Sequence, residues 1–183
     1  MGGVDKGLQP CGGRPLVEWA IDALAPQVGR LMLSANRNRA IYRRYGLPVI
    51  ADPGRDYQGP LAGIAAALAA ASTAWVLIVP CDMPLLPNDL AARLSAAITQ
   101  EGGEIAIGND GERNHPLPTL VRASLAASLT RFLASGARKV EQWQAQHRVA
   151  TADFSDHPDG FTNVNSLWEA EEIGRRLRAR SLD

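Results

Sequence analysis

Three short apolar runs in this chain end in the same way. "RLMLSAN" closes on Asn36, "LPVIAD" on Asp52 and "AWVLIVPCD" on Asp82. Runs of this length without polar alternation read as strands buried on both faces, which helices must cover. Between and around them the chain has helical spacing, so strands and helices alternate. That alternation specifies an α/β fold with a mostly parallel sheet and helices on both faces. In such a sheet the carboxyl ends of the strands border the crevice where ligands bind. Asn36, Asp52 and Asp82 are therefore expected along one rim.

The helical stretches can be placed from their punctuation. "RPLVEWAIDALAP" puts Leu16, Ala20 and Leu24 on one face, with Pro15 suited to the first turn. "RNRAIYRRYG" reads as a basic helix stopped by Gly46. "PGRDYQGPLAG" reads as a loop, "IAAALAAAS" as a helix of small residues, and "PNDLAARLSAAI" as a helix that Asn88 can cap. "EIAIG" reads as a strand and "TLVRASLAASLTRFLASG" as a strand followed by a helix. The terminal helix opens with a capping box, Ser166-Leu167-Trp168-Glu169.

At 183 residues the chain is expected to form one domain, spanning 1–183, and its 46% hydrophobic content supports a substantial core. The formal net charge is zero, so no global field favours nucleic acid or an anionic membrane. No charge occurs from Tyr57 to Cys81, but alanine-rich helix followed by short apolar strand explains this better than a membrane span. The N-terminus lacks a secretory apolar core. Cys11 and Cys81 have no CxxC spacing and read as reduced thiols, which points to the cytoplasm.

Some polar residues stand out against this frame. Asp82 is delivered to the rim by an apolar run, with prolines on both sides. A carboxylate there suits a magnesium ion that keeps some waters and shares substrate phosphates; a turn cap is the plain alternative. Lys6 lies in "GGVDKG", whose glycines leave amides free to face phosphate oxygens. No Ser or Thr follows the lysine, so this is not a Walker A loop. Asn163 and Asn165, in "TNVNS", fall on one side of an extended segment. His115, in "NHPLPT", is expected at the surface, and Arg138 and Lys139 form either a solvated turn or an anion clamp.

"MGGVDKGL", "SANRN", "VIADPGRDYQGPLAG", "PCDMPLLPNDLAARL", "DGERNHP", "GARKV", "DFSDH" and "FTNVNS" occur in the order found in molybdenum cofactor guanylyltransferases. The chain resembles that family over nearly its whole length. The resemblance implies a Rossmann-like nucleotidyltransferase fold and transfer of GMP from GTP to the terminal phosphate of molybdopterin, or Mo-molybdopterin, with release of pyrophosphate. It implies Mg2+ as cofactor, and molybdoenzymes or their chaperones as onward partners. By motif, Lys6 would contact GTP phosphates and Asp82 would hold the metal. Ser34, Asn36 and Asp52 would line the nucleotide site, with Gly59, Pro60, Leu61 and Gly63 beside the guanine. Asn163 and Asn165 would face the reacting phosphates, and Arg138 and Lys139 the pterin. Ser34 stands where the family pattern has asparagine.

The family pattern also has a strand and a Leu-Ala-Gly-Gly loop, then an arginine, directly before the Met-Gly-Gly that opens this chain. The resemblance thus implies that a strand and loop of about ten to twenty residues belong before Met1. Phosphate attacking phosphate requires charge neutralisation and in-line alignment, with no nucleophilic side chain. The poverty of histidine and cysteine chemistry agrees with this. Competing readings are a cytidylyltransferase on the same pterin, a sugar-phosphate nucleotidyltransferase, and a non-catalytic nucleotide- or pterin-binding carrier.

Overall fold

Each apolar run forms a strand where expected, yet the first two strands are only two residues long. The computed structural model describes residues 5–52 and 59–180. A small antiparallel ribbon, β1 (Pro10–Cys11) and β2 (Arg14–Pro15), leads into α1 (Leu16–Leu24). Then follow β3 (Leu33–Ser34), α2 (Arg39–Tyr42), β4 (Val49–Ile50), α3 (Pro60–Ala70) and β5 (Trp75–Ile78). The second half holds α4 (Leu90–Glu101), β6 (Ile105–Asn109), β7 (Asn114–Arg122), α5 (Ala126–Ala134), α6 (Val140–Gln144), β8 (Val149–Asp153) and α7 (Leu167–Arg180).

The larger sheet has the order β5-β7-β6-β8, and β3 pairs in parallel with β4 as a separate piece. β6 and β8 are parallel, whereas β7 runs antiparallel to both of its neighbours, so the sheet is mixed. Helices cover both faces, as the apolar runs require. Ile105, Ile107 and Val121 pack with Leu61 and Ile64 of α3, Leu129 and Phe132 of α5, and Trp143 of α6. Their strand neighbours Ala106 and Leu120 turn the other way, onto Ala20 and Leu24 of α1 and Leu90 and Leu94 of α4. The period-2 alternation of a strand thus feeds two cores at once.

The uncharged stretch resolves into α3 and β5, and no helix among the described residues is long and apolar enough to cross a membrane. Gly46 ends its helix in the left-handed region, at φ 72°. Three local expectations shift. Asn88 does not cap α4; the preceding residue is Asp89, without a side-chain cap bond. Pro60 and Leu61 belong to α3 and not to the loop, because proline at the first helical position sacrifices no needed donor. Pro15 stands just before α1.

Among the described residues β3 and β5 are not paired with each other. Between them opens a hollow of about 1200 Å³ with Leu31, Leu33, Val76 and Ile78 on its walls, floored by Val17 and Ile64. Trp75 to Ile78 stay half-buried, although nothing in their sequence suits water. Among the described residues β3 and β4 pair only with each other, over two residues.

Candidate active site

The polar mouth of this hollow gathers residues from both ends of the chain. Lys6, in a short 3-10 turn (Lys6–Leu8), donates from Nζ to Asp82 Oδ2 at 3.0 Å and to Asn165 Oδ1 at 2.9 Å. Asp82 follows β5, and its side chain is 14% exposed, against 41% for Lys6. The backbone N–H of Val164 donates to the carbonyl of Asp82 at 2.8 Å, tying the two segments in register. Val164 is fully buried while Asn163 and Asn165 remain exposed, so both amides line the mouth. The expected alternation is what the chain adopts.

Local structure holds each of these groups in place. The Glu169 carboxylate accepts the N–H groups of Asn165 and Ser166 at 2.7 and 2.8 Å, and the Ser166 hydroxyl accepts that of Glu169 at 3.1 Å. This is the capping box, and it fixes the backbone beneath Asn165. The Asn165 backbone N–H, donating to the carboxylate, lowers the Glu169 pKa. At the other end, the Tyr42 hydroxyl donates to Asp5 at 2.6 Å and the Asn38 amide donates to it at 3.1 Å, so the turn carrying Lys6 is clamped. A Cβ on Gly7 would lie 2.5 Å from the Tyr42 oxygen, which is why glycine follows the lysine. Burial pushes the neighbouring Cys81 thiol up to about 12, so it stays protonated and is no nucleophile.

Asn36 and Asp52, at the ends of β3 and β4, form a closed pair. The Asn36 amide donates to Asp52 Oδ2 at 2.7 Å and its oxygen accepts the Asp52 N–H at 2.9 Å. Asp52 Oδ1 is buried without a partner among the described residues. It lies 3.7 Å from where a Cβ on Gly63 would stand, and Ser34 Oγ lies 3.4 Å from the same point. Gly63 therefore keeps the floor of this corner open.

Ser34, Pro60 and Gly63 line the hollow with Lys6, Asp82, Asn163 and Asn165. Gly59 sits at the start of α3 with φ 71°, a left-handed conformation that favours glycine. Leu61 is different: its side chain is fully buried in the core under α3, so it anchors the helix and presents nothing to a ligand. Arg138 and Lys139 are not among the lining residues. The Arg138 guanidinium donates to the carbonyls of Leu133 and Ala137, closing the C-terminal end of α5. Residues 1–4 and 53–58 of the motif stretches lie outside the described residues.

His115 corrects its expected surface position. It is 7% exposed, stacks on Phe161 with centroids 4.8 Å apart, and shares a 2.6 Å hydrogen bond with Asp110. Phe161 in turn meets the fully buried Phe154 edge-on at 5.1 Å. Removing Phe154 therefore acts on core and site together. Phe154→Ala is expected to cost about 3–5 kcal/mol in urea unfolding, and to loosen the segment bearing Asn163. Tyr42, Asp5 and Asp110 were not singled out from the sequence, although "MGGVDKGL" contains Asp5 and "DGERNHP" contains Asp110, and His115 was expected only at the surface.

Comparison with known proteins identifies the family and the fold. A family model described as "MobA-like NTP transferase domain" matches residues 1–150. The molybdenum cofactor guanylyltransferase of Shewanella halifaxensis is 42% identical over 177 residues, covering 97% of this chain and 88% of that protein. That of Shewanella sp. strain MR-4 is 45% identical, covering 97% and 90%. Among solved structures, molybdopterin-guanine dinucleotide biosynthesis protein A from Archaeoglobus fulgidus superposes with a TM-score of 0.80 at 20% identity, covering 97% of this chain and 92% of that one. The 2-C-methyl-D-erythritol 4-phosphate cytidylyltransferase of Thermus thermophilus gives 0.73 at 19% identity, covering 94% of each chain. These last two establish the nucleotidyltransferase fold. With the match of sequence along nearly its whole length, the chain belongs to the molybdenum cofactor guanylyltransferases, within the MobA-like NTP transferases.

Proposed function

We propose that this protein transfers GMP from GTP to the terminal phosphate of molybdopterin or Mo-molybdopterin. A phosphate oxygen of the pterin attacks the α-phosphorus of GTP, the bond to the β-phosphate oxygen breaks, and pyrophosphate leaves. The observation that carries this reading is the convergence of Lys6, Asp82 and Asn165 at the mouth of the hollow. Two anions must approach each other there, so the site's work is to neutralise charge and hold groups in line. An ionised phosphate needs no general base, which accords with the protonated thiol of Cys81.

A divalent metal fits these residues. Asp82 and the Asn165 amide oxygen already share one cation, the Lys6 ammonium, which occupies the position a metal ion would take. Among the described residues no cluster of three or more His, Cys, Asp or Glu side chains could enclose a metal. One carboxylate with an amide suits magnesium, which takes its remaining ligands from phosphates and water. When bound, Mg2+ supplies Lewis-acid neutralisation of the triphosphate. Lys6, displaced from Asp82, then meets phosphate oxygens, and Asn163 and Asn165 orient the reacting groups. The unpartnered Asp52 Oδ1 offers an acceptor to the N–H groups of guanine beside Gly63. The two unpaired thiols, Cys11 and Cys81, accord with a reducing cytoplasm.

Labelled GTP is expected to be incorporated into molybdopterin with Mg2+, and CTP at a rate lower by tenfold or more. Equal or preferred use of CTP would overturn the guanine assignment. We also propose that the inner part of the hollow seats one further strand, joined to the chain ahead of Lys6. Among the described residues both flanking edges are unpaired there, and Asp5 is bonded to Tyr42 on the wall of the hollow.

A further inference from the structure

A second, smaller hollow of about 260 Å³ adjoins the first at the two asparagines. Asp110, Arg113, His115, Phe161 and Thr162 line it together with Asn163 and Asn165. Arg113, His115, Asn163 and Asn165 also line the large hollow, so the two chambers meet at these four residues. The first chamber holds Lys6 and Asp82. The second is polar and carries one guanidinium, one imidazole, one hydroxyl, two amides and one carboxylate, that of Asp110, whose oxygens are taken up by Glu112 N–H, Arg113 N–H and His115.

The turn between β6 and β7 is built to present Arg113. Asp110 Oδ1 accepts the N–H groups of Glu112 and Arg113 at 2.9 and 2.8 Å, while Oδ2 meets His115 Nε2 at 2.6 Å. Asn109 braces the same turn, accepting from Gly111 N–H and donating to the Asn114 side chain. His115 is pinned below by Phe161. So many bonds fix the backbone of a turn that is otherwise exposed. Arg113 itself is exposed, and its guanidinium has no protein partner among the described residues. A cation held rigidly by its backbone, with an unspent side chain opening into both chambers, suits an anion arriving from outside.

We infer that Arg113 binds the terminal phosphate of the acceptor pterin in the second chamber, with Asp110 and His115 as positioning residues that aim the turn. The inference rests on the guanylyltransferase reading for the identity of the acceptor. It places the two substrates on opposite sides of Asn163 and Asn165, where the new phosphoanhydride forms. A guanidinium meets a phosphomonoester through two parallel charge-assisted bonds, a geometry that lysine does not reproduce.

The test is binding, measured separately for each substrate. Arg113→Ala is expected to weaken molybdopterin binding, followed by quenching of pterin fluorescence, by about 10- to 100-fold, the usual range for hydrogen bonds to a charged group. Its affinity for Mg-GTP stays within about twofold of the parent, and Arg113→Lys recovers part of the loss. A pterin lacking the phosphate binds parent and variant alike. Unchanged molybdopterin affinity in Arg113→Ala, an equal loss for GTP, or a parent that binds no molybdopterin would each overturn the assignment. A parent that binds molybdopterin through Arg113 but transfers no GMP would refute the guanylyltransferase reading and leave the phosphate site standing.

Discussion

Asp82→Ala is expected to lower GMP transfer by about 10³-fold while leaving the protein folded. Among the described residues its carboxylate is the only acidic group bonded to Lys6, and on the proposed function the triphosphate and its metal converge there. Removing it deletes the anionic anchor of the cation without opening a core cavity, since Asp82 packs in no apolar cluster. The ion pair itself contributes little to stability, because the Lys6 side chain is 41% exposed and such pairs contribute about 0–1 kcal/mol. Single-turnover transfer of labelled GTP reads the chemistry, and the urea midpoint reads the fold. Asp82→Asn keeps the shape and loses the charge, so it should fall nearly as far. Magnesium-dependent turnover within tenfold of the parent in either variant would remove Asp82 from its assigned role.

The second large effect is a gain. A version extended before Met1 by an apolar strand of about five residues and a glycine-rich loop should be more stable than the 183-residue chain by a few kcal/mol. The strand would pair with β3 on one side and β5 on the other, and bury Leu33, Val76 and Ile78 more completely. Each aliphatic side chain it placed in the hollow would contribute about 1.5–3 kcal/mol before the entropy of ordering is set against it. Urea unfolding separates this from a merely better-behaved protein. The midpoint and the m value should both rise, because more surface is exposed when the extended version unfolds. Identical midpoint and m value would mean that the hollow seats no strand.

What the sequence made legible was local. The capping box at Ser166 and Glu169 could be read because both partners lie within one helical turn. Asn163 and Asn165 could be paired because alternation in an extended chain is a property of three residues. The rim position of Asp82 followed from one apolar run ending in a carboxylate. Where the outcome depended on distant chain, reading failed. His115 looked like a surface residue because Phe161, which covers it, is far away in sequence. Arg138 is a local exception: its guanidinium is taken up by the nearby carbonyls of Leu133 and Ala137, and not by a ligand site. The antiparallel course of β7 was hidden because its prolines interrupt the strand signal, and β8, in "VATAD", carries too few apolar residues to declare itself. The unpaired edges of β3 and β5 are a relation between elements, which no stretch of residues encodes alone.

The bond from Lys6 to Asn165 spans 159 positions, and the Cys11 thiol reaches the carbonyl of Ala170 across the same separation. Synthesis proceeds from the amino end, so Lys6 and Asp82 emerge from the ribosome long before the asparagines that complete their site. A growing chain can form α3, β5 and their cores, but it has no assembled reaction centre until its last helix is free. Loop closure over such a distance is also slow relative to local structure. The proposed catalytic mouth is therefore among the last parts of the molecule to come into being, and unfinished or carboxyl-terminally clipped chains would lack the two asparagines that line it.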